Sequence, residues 1–373
     1  MTSRKGLLLA LALLLLGVLL YVLRGNVLPR REDQVEIGAI LPLTGSGAQY
    51  GEDARRGIEL ALGGLGHSKG KLMDIVYEDS RTDPKTGVST FQKLLSVNRV
   101  PAVITEVSGV VLALAPIANR NEVVLFNMGA QNPDIANAGS YVFSNINLAN
   151  VESRQIAEFA SNELHVRKAA ILYANVAYGE GARKVFSDVF KRMGGQVVAE
   201  VAFPEDGLDY RAQVLQVMEA HPDAVYLPGH TKDMARILKQ GTEIGFHPQW
   251  LSYTAFEGQE ILDIAGPAAE GVIYSSLSLD TESGSSTMRE FRDAYQQRYG
   301  MLPGIYSATA YDATLILAEA INAGSRSGAQ IRQFLSRMEP FEGASGLTSF
   351  DAKGTVNKPV VFKTVKDGQF VKF

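Results

Sequence analysis

The chain contains no cysteine. That excludes disulfides, thiolate-held zinc, a cysteine nucleophile and the lipid-bearing cysteine of a lipoprotein, so any membrane attachment must come through an apolar helix. Histidine is scarce: His67, His165, His221, His230 and His247 are the full set, and no pair has the H-E-x-x-H spacing of a zinc hydrolase. There is no P-loop and no G-x-S-x-G nucleophile elbow. Carboxylates are plentiful, Glu78 and Asp79 among them, but no spacing marks a catalytic pair. The formal net charge is −4 and no dense Lys/Arg cluster occurs, which excludes the basic footprint of a nucleic-acid binder. These absences argue against an enzyme and against any cofactor or metal.

Uncharged sequence is concentrated at the start. Gly6–Leu23 carries no charge over 18 residues, a helical length of about 27 Å, near the hydrocarbon thickness of a bilayer. It is longer than the apolar core of a cleaved signal peptide, and no A-x-A pattern follows it. The expectation is a signal-anchor within residues 1–34, a cleaved signal being the alternative. Arg4 and Lys5 on one flank favour a cytoplasmic N-terminus, against Arg24, Arg30 and Arg31 on the other. Residues 1–34 hold five basic and two acidic side chains, leaving 31 basic and 38 acidic ones in the body, a net charge of −7. The body is long enough for two domains.

The body alternates strands and helices. Val35–Leu41, Leu72–Glu78, Ala102–Thr105 and Val123–Asn127 read as strands. Asp53–Leu62, a segment around Val88–Leu95 and Leu112–Arg120 read as helices between and after them. A second run of the same kind starts near Asn147, with strands at Ala169–Ala174, Val197–Phe203, Ala224–Leu227, Trp250–Tyr253 and Gly271–Ser276. Helices are expected around Ile156–Leu164, Ala182–Met193, Val214–Met218 and Met234–Leu238. Helices at Met288–Tyr299, Ser307–Ala323 and Ala329–Met338 follow, and the tail Gly354–Phe373 reads as a hairpin around Lys366–Asp367–Gly368. This βαβα order predicts an α/β fold with parallel sheets covered by helices on both faces.

Ligand sites in such folds lie at the carboxyl ends of the strands. Thr44–Gly51 (TGSGAQYG) is a near miss for the dinucleotide fingerprint, its last glycine one residue too far along. It reads either as a tight strand-to-helix turn or as one that presents Tyr50 to a ligand. Ser108–Gly109, after the strand Ala102–Thr105, precedes a helix whose N-terminal N–H groups suit a carboxylate. Gly129–Asn132, after Val123–Asn127, offers the same, and a plain helix cap explains either segment equally well by local sequence. His230 follows Ala224–Leu227 in a Pro-Gly turn, and is balanced between a structural and a ligand-binding role.

Six blocks in order carry a resemblance: GAILPLTGSGAQYGEDARRGIELAL, GLGHSKGKLMDIVYEDSRTDP, EVSGVVLALAPIANRNEVVLFNMGAQNPDI, ILYANVAYGEGARKVF, DYRAQVLQVMEAHPDAVYLPG and YSATAYDATLILAEAI. Over nearly all of residues 35–373 the chain resembles the type I periplasmic binding proteins, near the leucine/isoleucine/valine receptors of ABC transporters. The resemblance implies two doubly wound lobes joined by three crossovers near Ile146–Leu148, Ser275–Leu279 and Thr348–Phe350. Residues 35–147 and 278–348 would form lobe 1, and residues 148–277 and 349–373 lobe 2. It implies extracytoplasmic capture of an amino acid or related carboxylate or amide by hinge closure, with an ABC permease as partner. A membrane-anchored sensor or partner-binding protein on the same fold is the alternative.

The resemblance also implies site residues. Tyr50 is the aromatic contact after the first strand. Ser108 and Gly109 form the turn that holds the ligand carboxylate, and Gly129 offers a carbonyl to the ammonium. Tyr178 is the aromatic of the second lobe, with Phe256 a further apolar wall. Three positions depart from the family pattern: Gln131 replaces a threonine, His230 an aromatic residue, and Thr254 the acidic residue that pairs with the ligand ammonium. Glu257, three residues on, is the substitute if its loop shifts. A buried ammonium without a carboxylate partner is strongly penalised, so Thr254 opens the ligand class to acids and amides without an amine.

Overall fold

In the computed structural model, which describes residues 34–65, 72–277 and 285–373, β1 (Val35–Leu41) is buried on both faces. Ile37, Ala39 and Leu41 enter one core and Ile40 the other, which is why Ile37–Leu41 is a continuous run without polar side chains rather than an alternation. α1 (Ala48–Gly64), β2 (Met73–Asp79), α2 (Pro84–Lys93), β3 (Ala102–Thr105), α3 (Ser108–Arg120), β4 (Val124–Asn127) and β5 (Val142–Ser144) follow. The first sheet has the order β2-β1-β3-β4-β5 and is parallel throughout. The segment Gly6–Leu23, with the predicted anchor, lies outside the described residues. Among those described, no helix is long and apolar enough to cross a membrane.

The second sheet is built from the next stretch: α4 (Ala149–Asn162), β6 (Lys168–Ala174), α5 (Ala177–Arg192), β7 (Gln196–Phe203), α6 (Arg211–Glu219), β8 (Ala224–Tyr226), α7 (Thr231–Glu243), β9 (Gln249–Ser252), α8 (Gln259–Ala265) and β10 (Ile273–Leu277). Alternate residues of β6 again feed two cores: Ala169 and Ile171 meet α4 and α5, whereas Ala170, Leu172 and Ala174 meet α6 and α7. The chain then returns to the first sheet with α9 (Ser286–Tyr299), α10 (Ile305–Asn322) and α11 (Gly328–Leu335). The small hairpin β11 (Phe341–Gly343) and β12 (Gly346–Thr348) comes next. It finishes on the second sheet with β13 (Val360–Lys366) and β14 (Gln369–Lys372).

The order of the second sheet is β14-β13-β10-β9-β8-β6-β7. β13 is antiparallel to β10 and β14 antiparallel to β13, so this sheet is mixed rather than wholly parallel as expected. The reason is local. A two-residue Asp367–Gly368 turn, with both φ values positive, folds β14 straight back, whereas a parallel neighbour would need a long crossover. In both sheets the strand order reverses beside the first strand of its run, between β1 and β3 and between β6 and β8. Those are the positions where doubly wound folds open a crevice.

Residues Val35–Phe373 pack as one unit that holds both sheets. The chain passes from β5 to α4 through 145–148 and from β12 to β13 through 349–359. The passage from β10 to α9 falls mostly on 278–284, outside the described residues, and Ser275–Leu277, where that crossover was expected to begin, is still strand β10. The first and third passages are stitched together. Asn147 donates its amide to the Lys358 carbonyl at 2.8 Å and accepts the Lys358 N–H at 2.8 Å. Lys358 Nζ donates to Ser345 Oγ at 2.6 Å, beside the buried Asp312 carboxylate, which accepts from Ala344 and Ser345 N–H. Burial lowers the Lys358 pKa to about 8 and raises that of Asp312, each partly offset by the other's charge.

Candidate functional site

The strand-to-helix turns of both sheets converge on one cavity of about 250 Å³. Tyr50, Ser108, Gly109, Gly129, Gln131, Tyr178 and His230, seven of the eight residues expected from the sequence, line it. Glu106, Glu205, Tyr253 and Tyr306, which the sequence did not single out, line it as well.

Tyr50 sits in the first turn of α1, not in the loop before it. The glycines around it answer to packing. Gly45 has φ +89°, and a Cβ on Gly51 would lie 2.4 Å from the Pro42 carbonyl oxygen. The near-fingerprint spacing is thus the requirement of a tight turn. Asp79 at the end of β2 secures that turn, accepting from Leu43 N–H, Thr44 N–H and Thr44 Oγ1. The Tyr50 hydroxyl reaches the other sheet's half of the molecule, accepting from Thr231 N–H at 2.8 Å and bonding Thr231 Oγ1 at 2.7 Å. Thr231 Oγ1 spends its proton on the Ala255 carbonyl, so Tyr50 is the donor in that second bond. Burial raises the Tyr50 pKa, so it stays a neutral phenol.

Ser108 is the first residue of α3, and no side chain caps that helix. Its first-turn N–H groups and positive dipole end therefore face the cavity without an internal acceptor. Ser108 Oγ accepts from the N–H groups of Gln131 and Asn132, both at 3.2 Å. That ties the β3 turn to the β4 turn and leaves the serine O–H as a donor. Asn127 shapes the second turn, accepting from Gly129 and Ala130 N–H and donating to the Ala130 carbonyl. The α5 N-terminus, also without a side-chain cap, brings Ala177 and Tyr178 from the opposite side.

The remaining walls are aromatic. Tyr178 stacks on Tyr253 with ring centroids 4.4 Å apart, and Tyr50 lies 5.0 Å from Tyr306 and 5.7 Å from His230. Such a lining, with a few polar groups converging on one end, suits a small organic molecule. His230 Nε2 is 2.6 Å from Glu205 Oε1, a pair that carries opposite charges when the imidazole is protonated. Among the described residues no group of acidic and histidine side chains could hold a metal ion.

Thr254 stands apart from the lining. It is 1% exposed, and its hydroxyl faces Glu152, with Oε2 at 2.8 Å and Oε1 at 3.0 Å. Glu152 also accepts from Gln131 Nε2 at 2.8 Å, so Gln131 screens it from the cavity. Burial raises the Glu152 pKa to about 7, against the pull of these donors. Phe256 is fully buried against Tyr274, ring centroids 5.3 Å apart, and walls a core instead of the cavity. Glu257 is engaged by Lys363 Nζ of β13 and Ser276 Oγ of β10. It does not take the place of an acid at 254.

A family model described as "Periplasmic binding protein" matches residues 34–369. A protein of Brucella abortus named Leu/Ile/Val-binding protein homolog 2 is 27% identical over 351 residues, 91% of this chain and 93% of its own. The crystal structure of a leucine-binding protein, LivK, from Thermotoga maritima superposes with a TM-score of 0.86 at 28% identity, covering 91% of this chain and 97% of that one. The branched-chain amino acid transporter substrate-binding protein LivJ of Streptococcus pneumoniae, solved with isoleucine, gives 0.83 at 25% identity, covering 90% and 97%.

Proposed function

From a chain that belongs to the periplasmic binding protein family, whose members bind substrates and do not transform them, we propose the solute-capturing component of an ABC importer. The solute is an amino acid or a related small carboxylate or amide. It is held between two lobes, residues 35–147 with 278–348 and residues 148–277 with 349–373, and delivered to a membrane permease. The observation that carries this reading is the cavity itself: strand ends of both sheets meet there, with the uncapped N-terminus of α3 at one end and four tyrosines around it. Ser108, Gly109 and the Gly129–Gln131 turn take the carboxylate end, and Tyr50, Tyr178 and His230 close over the remainder.

Closure stores the signal. The permease reads the population of the closed form, which the solute raises by binding both lobes at once. Gly6–Leu23 tethers the protein on the periplasmic side of the cytoplasmic membrane. That permanent tether also supports a second reading, a ligand sensor that contacts a signalling partner.

Native mass spectrometry of the gently purified protein tests the first reading, followed by calorimetric titration with branched-chain, small polar and aromatic amino acids and their carboxylate and amide analogues. A bound small solute, recovered by titration with a 1:1 stoichiometry, is the expected result. A protein that binds no member of the panel would sink it.

A further inference from the structure

Glu106 follows β3 directly and is 4% exposed, yet it lines the cavity. Neither of its carboxylate oxygens has a hydrogen-bond partner among the described residues. Buried polar groups are almost always paired, and an unpaired carboxylate is among the costliest exceptions. The packing around it is tight and specific. A Cβ on Gly129 would lie 2.7 Å from Glu106 Cβ and 3.2 Å from Oε2, and also 3.2 Å from Tyr306 Cδ1. Glycine at 129 therefore makes room for this side chain. Two residues further along the same turn, α3 presents its uncapped N-terminus.

We infer that Glu106 is the cation partner of the solute, so that the ligand is a zwitterion whose ammonium and carboxylate are both taken by the β3–α3 turn. The inference rests on the solute-capture reading above. It differs from the family's arrangement, in which the acid stands at the position of Thr254. Of the other carboxylates near the cavity, Glu152 is hydrogen-bonded by Thr254 and Gln131, and Glu205 Oε1 lies against the His230 imidazole at 2.6 Å without a hydrogen bond. Among the described residues that line the cavity, Glu106 alone has both carboxylate oxygens buried without a hydrogen bond, and an ammonium can fill them while cancelling the charge. A consequence separates this site from one with acids on both lobes. The first lobe recognises both charged ends of the solute before closure, and the second adds aromatic cover from Tyr178, Tyr253 and His230.

The surroundings of Glu106 fix the sign of a pH effect. Asp53 on α1 is the acidic neighbour with most influence on it, Tyr306 on α10 packs beside it, and Tyr50 and Glu152 lie around Tyr306. Burial and the Asp53 charge raise the Glu106 pKa well above the usual carboxylate value. An ammonium stabilises the ionised form, so capture releases a proton and affinity rises with pH until Glu106 is ionised in the free protein.

The test compares wild type and Glu106→Gln by titration calorimetry, with leucine against its des-amino analogue 4-methylpentanoate, phenylalanine against 3-phenylpropanoate, and benzoate as an acid without an amine. The wild type is expected to prefer the amino acid in each matched pair. Glu106→Gln should weaken amino-acid binding about 100-fold, flatten its rise with pH and keep the unliganded melting temperature at or above wild type. Equal amino-acid affinity in the two proteins would overturn the inference and leave solute capture standing. So would a wild type that binds the carboxylates in preference, or an affinity that falls with pH, because Glu106 would then act as a protonated donor to an acid. A wild type that binds no member of the panel would remove the solute-capture reading and this inference with it.

Discussion

Glu152 shows how one carboxyl group can tie the molecule's stability to pH. Its folded pKa of about 7 lies above the ordinary 4.5, with burial as the main cause. The folded state therefore favours the protonated form. The stability that this contributes is complete below about pH 4.5 and is lost as pH rises through about 7, a loss on the order of 3 kcal/mol. In urea titrations at pH 5 and pH 8, Glu152→Gln should remove most of that difference, since the amide keeps the shape and stays neutral. An identical pH dependence in wild type and Glu152→Gln would refute the assignment. Glu152→Ala should behave differently, losing about 2 kcal/mol at pH 5 by leaving Thr254 Oγ1 without its acceptor and Gln131 Nε2 with the Asn147 carbonyl alone. Tyr50, Ser108 and Tyr178 were legible in the sequence because they match the aromatic and serine positions of the family pattern. Glu106 and Glu152 were not. An acid next to an apolar strand or within a helix reads as solvent-facing, and only the packing around it shows otherwise.

Most elements were legible in type, α8 was missed, and the helix starts were not legible. β1 and β3 were read to the residue. The helices at Ala48, Ser108 and Ala177 each begin four or five residues before the point that hydrophobic periodicity indicated. Their first turns include glycine, serine and tyrosine residues that serve the cavity, which blurs the apolar period there. The three-residue strand β5 and the short hairpin β11–β12 were too brief to show a period. Helix contacts follow the same logic of close approach. Gly57 lets α1 press against α10, where a Cβ would come within 2.1 Å of the Ser307 carbonyl oxygen. Because that neighbour is backbone and cannot turn aside, Gly57→Ala should cost about 3 kcal/mol in chemical denaturation. A loss under about 0.5 kcal/mol would mean that the two helices separate easily.

The closure proposed above would belong to the whole molecule. The hydroxyl of Tyr50 spans from α1 to Thr231 at the start of α7, and Asn132 donates across to the Ala177 carbonyl. The stitched pair Asn147 and Lys358 holds two of the connecting passages in step. Tyr50→Phe keeps the aromatic wall and removes the cross-bonds, so the closed form should lose about 1–2 kcal/mol. Solute affinity should then fall roughly tenfold, and small-angle X-ray scattering of the unliganded protein should show a larger radius of gyration. Unchanged scattering and affinity would show that the latch contributes nothing. The two-sheet plan was visible in the repeated βαβα order, and the mixed second sheet was visible only in part, as a terminal hairpin whose attachment to β10 no local pattern could announce.

That terminal hairpin also bears on whether copies of this protein stay apart. β14 forms one rim of the seven-stranded sheet, four residues long and ending in Lys372. Short rims bearing lysine make poor templates for a second strand. β13 beneath it is longer and begins Val360–Val361–Phe362. If the chain were clipped after Lys366, that apolar strand would become the border, with its backbone groups unpaired. The cavity lies far along the strand order and its turns would be untouched. The last few residues thus act as a guard on solubility, and proteolysis there would leave a molecule able to recognise its solute and prone to stick to its own kind.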